Sequence, residues 1–308
     1  MVLNIVLVLA MVQTSLSYGV AAESRQPDTA QVPLNWHTLE LRDSGVTGSV
    51  TTRVELRMFP AAELQSALLD APQSMSPRQA GKQTGVLEVN NSVRLLLGVD
   101  IENQSRLWFN EGDDLPLQLM RVHRGNNPSQ KLYRFGSSQV YRQRRQPADR
   151  AETEQPAGHW SDVSEAYYPL PNQDEACPVI LESSQLLYVL SKQDTVLSES
   201  GGEFCVFDRK QVYRVGYRLL GRERLAVNYL QIDANKETRQ KHTLQALHIA
   251  LTSRPLAGSP EDIQPFSFLG LDDDIELLFS EAGRIPLRIQ GHVSGYGSIE
   301  LELKKLAR

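Results

Sequence analysis

The chain is poor in the residues that most sharply announce a chemistry. It has only two cysteines in 308 residues, too few for a disulfide-rich scaffold or a four-thiolate zinc site. Its histidines are scattered, and the nearest pair, His242 and His248, has no carboxylate close by in sequence, so it makes a poor metal site. No metal and no cofactor is expected. The glycine patterns of phosphate-binding and dinucleotide-binding loops are missing, and so is the G-x-S-x-G elbow of the α/β-hydrolases. There is no excess of positive charge: 32 Lys and Arg stand against 37 Asp and Glu, a formal net charge of -5. That balance argues against a nucleic-acid partner, which leaves a strongly basic footprint. After the first dozen residues no apolar run approaches the ~20 residues of a membrane-spanning helix.

What is present begins at the first residue. "MVLNIVLVLAMVQTSLSYGVAAES" has an apolar run, Val2–Val12, too short to span a bilayer, followed by small residues. Val20-Ala21-Ala22 fits a signal-peptidase site, so residues 1–22 are expected to be a signal peptide cleaved near Ala22. No Lys or Arg precedes the run, and the alternative is a buried first strand or helix. No cysteine follows the site, so a lipoprotein anchor is not indicated, and export to the periplasm is the expectation. In an oxidising compartment an isolated pair such as Cys177 and Cys205 is most simply a disulfide. Closing that loop stabilises by about 3–4 kcal/mol on the chain-entropy model. Two unrelated buried thiols are the alternative.

The rest of the chain reads as strands. In "SVTTRVELRM", Val50, Thr52, Val54, Leu56 and Met58 alternate with Thr51, Arg53, Glu55 and Arg57, a period of two with one face buried and one wet. Pro60 opens "PAAELQSALL", a short helix with proline at its first turn. "CPVILESSQLLYVLSK" is the second expected helix. The expected divisions are a polar lead-in at 23–32, a β half at 33–145, a polar linker or long loop at 146–176, and a second β half at 177–308, the two halves joined in one continuous curved sheet. One phrase occurs twice: "LWFNEGDDLPLQL" from Leu107 and "LLFSEAGRIPLRI" from Leu277. Leu, Phe, Glu, Pro and Leu recur at identical offsets. Each copy reads as a β-hairpin whose return strand begins at a proline, a residue confined to strand starts and edges. Ile285, Leu287 and Ile289 are expected on one face, with Arg284, Arg288 and Gln290 opposite. Antiparallel strands joined in this way form a meander. The fold class is therefore mainly β: a curved antiparallel sheet or half-open β-barrel with two short helices.

"GGEFCVFDRKQVYRVGYRLLGRERLAV" and the closing "IELLFSEAGRIPLRIQGHVSGYGSIELEL" resemble an uncharacterised family of exported Gram-negative proteins, a domain-of-unknown-function family. In the closing segment Phe279, Pro286, Leu287 and Gly297 carry the likeness. The resemblance covers the C-terminal part of the chain and, more loosely, "LWFNEGDDLPLQL" and "KLYRF". The family is similar in architecture to the periplasmic lipoprotein carriers, half-open barrels in which a curved sheet wraps around helices. That resemblance implies a concave apolar face, and it carries no assigned activity.

Candidate contact residues follow from the same reading. Trp108 is expected on the sheet face away from the helices, where a large aromatic suits a lipid or a partner; its alternative is ordinary core. Arg142, Arg144 and Arg145 in "YRQRRQPADR" suit lipid phosphates or an acidic partner, and alternatively form the wet edge of a sheet. "LDDDIE" at 271–276 lacks the ligand spacing of a calcium loop and reads as an acidic turn. The leading expectation is an exported, non-enzymatic envelope protein that binds an apolar or amphipathic ligand, a lipoprotein or another envelope protein. An envelope hydrolase using a carboxylate pair or the His159–Asp162 stretch "HWSD" is the rival, and a purely protein-binding scaffold the third reading.

Overall fold

The structure is a computed structural model that describes residues 34–45, 48–95, 100–171, 177–192, 197–234, 236–256, 264–293 and 297–308. The signal-peptide reading of 1–22 and the lead-in at 23–32 lie outside the described residues. Eight strands follow one another first: β1 (Thr38–Gly45), β2 (Gly48–Pro60), β3 (Gln83–Leu95), β4 (Asp100–Asn110), β5 (Pro116–Arg124), β6 (Ser129–Phe135), β7 (Gln139–Gln146) and β8 (Asp162–Pro169). Then come β9 (Ile180–Glu182), β10 (Gly202–Asp208), β11 (Gln211–Asp233), β12 (Lys236–Pro255), β13 (Asp273–Ser280), β14 (Pro286–Val293) and β15 (Gly297–Ala307). The helices are short: α1 (Ala61–Leu64), α2 (Arg150–Thr153) and α3 (Gln185–Ser191).

All of these strands join one 15-stranded sheet in the order β8-β7-β6-β5-β4-β3-β2-β1-β15-β14-β13-β12-β11-β10-β9. The first and last strands of the chain's β region pair with each other, β1 against β15, so the two halves are one continuous sheet. Neighbours are antiparallel except β9 on β10 and a second, parallel contact of β11 with β15 at Leu230–Ile232. That contact needs the long β11–β12 hairpin to bend. It bends at a bulge between Leu219 and Gly221, where Gly221 adopts φ +151, a conformation open to glycine and strained for other residues.

The sheet rolls until its last strands face the inner side of β5–β8. Phe207 on β10 packs against Tyr133 and Phe135 of β6 and Tyr168 of β8, with ring centroids 6.0, 5.6 and 6.1 Å apart. α3 lies within the roll, every one of its residues buried, and the Tyr188 ring packs against Phe109 at a tilt of 53°, with centroids 4.8 Å apart. A short helix with five apolar residues in seven and no charge has no wet face, so it is stable only when enclosed. Cys177 and Cys205 are joined, with Cα atoms 5.6 Å apart, and the bridge ties the segment entering β9 and α3 to β10.

The repeated phrase forms two hairpins of the same register. Leu107 pairs with Leu119 and Phe109 with Pro116; Leu277 pairs with Ile289 and Phe279 with Pro286, each with a bulge at the same place. The turns close alike, by Asn110 N–H to Leu115 O at 3.0 Å and Ser280 N–H to Ile285 O at 2.9 Å. Asp114 and Arg284, equivalent in the phrase, both take positive φ. In the first copy the bulge turns Leu117 away from the main core and against Trp108, so the simple alternation of the sequence fails at that one residue.

Three further elements differ from the sequence reading. The expected second helix is split: Ile180–Glu182 pairs with β10 as a strand and only Gln185–Ser191 is helical. The short apolar run "VIL" cannot be told from helix by periodicity. The stretch 146–176, expected as linker or loop, contains α2 and the edge strand β8. β8 is exposed along most of its length, so it lacks the apolar alternation that marks a buried strand. α1 is the expected helix after Pro60, continued by a 3-10 turn at Gln65–Ala67, but it covers the outer face of the sheet while α3 fills the inner one.

Candidate functional site

Because side chains alternate across a strand, residues paired between neighbouring strands share a face. Leu107, Leu119 and Tyr133 form one such inner row in the core. The next row toward the rim is Ser105, Arg121, Lys131, Arg144 and Ser164, on β4 to β8 in turn. It places Arg121, Lys131 and Arg144 side by side on the inner face. A cavity of about 520 Å³ opens against this row. The opposite wall comes from the β9–α3 corner (Glu182, Ser183, Ser184), the end of β10 (Asp208, Arg209) and the loop Ser267–Gly270. Asn91 fixes that loop by donating to Leu269 O at 3.2 Å.

Two fully buried carboxylates hold the floor. Arg121 reaches Glu182 at 2.6 Å and Asp208 at 3.0 Å. Glu182 also accepts from Ser183 Oγ at 3.0 Å, from Ser184 N–H at 2.9 Å and from Ser184 Oγ. Asp208 accepts from the Ser267 N–H at 3.1 Å. Burial alone would lower the Arg121 pKa, but Asp208 and Glu182 outweigh it and hold the guanidinium above its ordinary range. This ion cluster pins β5 to β9 and β10 and so fixes one side of the cavity.

Lys131 and Arg144 are in a different condition. Neither side chain has a hydrogen bond or an ion pair with any described residue, and Arg144 Nε is buried without a partner. Burial, and then Arg144, Arg121, Arg142 and Arg209 around it, push the Lys131 ammonium down to about 8. Burial likewise pushes the Tyr133 hydroxyl up to about 12, against the pull of Arg121. The lining carries the cations Arg121, Lys131, Arg144 and Arg209 against the carboxylates Glu182 and Asp208, in a chain that is acidic overall. His123, at the rim, is held by Asn103 Oδ1 at 2.7 Å and Asn126 O at 3.0 Å.

The residues singled out from sequence are dispersed by the fold. Arg144 lines the cavity, and Arg142, two residues earlier on the same face, lies 5.9 Å from the Tyr168 ring. Arg145 faces outward and donates to Trp160 O at 3.3 Å. Trp108 is on the face opposite Phe109, but buried with Val86 and Leu117 beneath Leu64 and Leu68. His159 and Asp162 are exposed; between them Trp160 is buried and Ser161 Oγ bonds Glu152 at 2.6 Å, so "HWSD" forms no converging group. His248 bonds Glu276 at 2.8 Å while His242 is exposed. The acidic run is spent on a strand start, where Asp272 meets Arg209 at 3.4 Å. Arg121, Lys131, Glu182 and Asp208 were not legible as a site, because they come from β5, β6, β9 and β10 and meet only in space.

No family model matches the chain, and no curated protein does. Among solved structures it is similar to a β-barrel-like protein of the domain of unknown function DUF1849 from Brucella abortus. Identity is 11%, with 89% of this chain and 98% of that chain covered, at a TM-score of 0.43. No residue of the cavity is carried over from it.

Proposed function

We propose that this chain is an exported, non-enzymatic envelope protein that binds an amphipathic ligand at the mouth of its curved sheet. The observation that carries this is the cavity of about 520 Å³, within the size range of small-molecule sites. Val89, which continues the row beyond Ser105, and Leu269 on the opposite loop add apolar surface beside the charged residues, which suits a molecule with one apolar and one polar end. A wholly apolar ligand has less support, because α3 and the aromatic core occupy the interior of the roll. The apolar run and small-residue site before Glu23, and the Cys177–Cys205 bridge, support export. Among the described residues no helix is long and apolar enough to cross a membrane. Mass spectrometry of the protein purified natively from the envelope tests the reading: one amphiphile retained per chain is expected. A preparation free of any bound amphiphile, which also fails to take one up, would overturn it.

A further inference from the structure

The cationic row is asymmetric. Arg121 is matched by two buried carboxylates, whereas Lys131 and Arg144, its neighbours on β6 and β7, are matched by nothing among the described residues. Like charges directly opposite each other on adjacent strands repel, and here the repulsion is worsened by burial. Arg142 and Arg209 add to the same field around Lys131. An arrangement that destabilises the empty protein and opens onto a cavity is what a preformed anion site requires.

We propose that Lys131 and Arg144 form a subsite for a phosphate group, with Arg121 fixed beside them as a positioning residue. The proposal rests on the binding reading above and names the polar end of its ligand. Arg144 offers a planar fork that pairs with two oxygens, and Lys131 a compact point charge. Two adjacent unmatched cations suit a group that spreads negative charge over several oxygens. Ser105 and Ser129 line the cavity beside them and supply hydroxyl donors. Glu182 and Asp208 do not compete, because Arg121, Ser183, Ser184 and the Ser267 N–H occupy them. The phosphate belongs either to a lipid head group or to a free anion.

Calorimetry on the full mature chain distinguishes these sources, using inorganic phosphate, dihexanoyl phosphatidylglycerol and, as a probe without the head group, dihexanoylglycerol. Binding of at least one phosphate-bearing probe is expected, about 10-fold weaker in Lys131→Gln or Arg144→Gln and weaker still at high salt, as for any charge-assisted contact. Uptake of inorganic phosphate alone identifies a free anion; uptake of the lipid alone identifies a head group. Dihexanoylglycerol should bind the variants as it binds the wild type. If inorganic phosphate binds and no amphiphile does, the subsite stands and the amphipathic reading falls. The subsite is overturned if the double variant binds the phosphate probes like wild type, or if only dihexanoylglycerol binds. The empty variants should melt at or above the wild-type temperature, since each removes a repelled cation. Should either variant fail to fold, the wild-type melting temperature decides: it must rise with at least one phosphate-bearing probe beyond the rise that sulfate or dihexanoylglycerol gives at matched concentration.

Discussion

The two copies of the repeated hairpin share a register, a bulge and a turn, yet they border opposite kinds of space. At the position where β5 carries Arg121, β14 carries Gly291; where β4 carries Ser105, β13 carries Ile275. Their partners on the next strands differ in the same sense, Lys131 opposite Arg121 and Ile299 opposite Gly291. In the second copy Leu271 closes in, its Cβ only 3.2 Å from where a Gly291 Cβ would sit. One hairpin is sealed with apolar side chains and the other is held open by charge. The backbone pattern therefore belongs to the sheet, and the cavity belongs to a few substitutions laid on one copy of it.

What the copies share should be broken equally in both. Leu117→Asp and Leu287→Asp each place an unpaired charge at a buried site, 0% and 3% exposed. Burying an unpaired carboxylate costs enough to consume the ~5–15 kcal/mol of a typical domain. Loss of the cooperative melt and of near-UV dichroism is expected for both. Arg288→Ser, on a half-buried side chain paired with Glu300 and Glu302, should change stability by less than about 1 kcal/mol. Survival of either Asp variant with a wild-type melt would refute the shared architecture.

What differs between the copies should be broken in one only. Arg121→Met leaves Glu182 and Asp208, both fully buried, without their shared cation. Removing one partner of a buried ion cluster costs about 3–5 kcal/mol, read as a lower denaturant midpoint. The equivalent Gly291→Ala meets Leu271 and the Asp273 carbonyl at 3.2 and 3.0 Å, a tight contact expected to cost about 1 kcal/mol. An Arg121→Met loss no larger than that of Gly291→Ala would show that the ion cluster does not hold the cavity wall.

The comparison also explains how much could be read in advance. The hairpins were legible because Phe, Pro and Leu at fixed offsets are local signals. The disulfide was legible because a chain with two cysteines leaves one pairing. The helix after Pro60 was legible from its proline, but not which face it covers, since that depends on where the sheet curls. Arg121 in "PLQLMRVHR" carries no local signal of its role, for periodicity cannot reveal a buried carboxylate that meets it across a roll. Gly85 was equally silent. It pairs with Phe109, and a Cβ there would lie 2.3 Å from the Phe109 ring, so the ring that touches α3 needs a bare backbone beneath it. Gly85→Ala is expected to cost about 1–3 kcal/mol, recovered in part by Phe109→Leu; no recovery in the double variant would place the strain elsewhere.

The smallest expected effect is the most specific to the charged copy. The Lys131 pKa is lowered from 10.5 to about 8, first by burial and then by the surrounding Arg144, Arg121, Arg142 and Arg209. The unfolded chain keeps the ordinary value, so between about pH 8 and 10.5 it binds more protons than the folded one. Stability must then rise with pH across that window. Below pH 8 both forms are protonated and the penalty is fully present. Tyr133, raised to about 12 by burial, acts oppositely at higher pH, since its folded form retains a proton that the unfolded form releases above 10. The clean comparison is therefore wild type against Lys131→Met between pH 7 and 9.5. The variant should be the more stable at pH 7, with the advantage shrinking as pH rises. Saturating a phosphate site should do the same to the wild type at pH 7, because an anion removes the repulsion that the empty row retains. A stability difference independent of pH would mean that Lys131 keeps its proton in the folded protein as it does in the unfolded chain, so that burial and its cationic neighbours do not oppose its charge and the row holds no uncompensated repulsion for an anion to relieve.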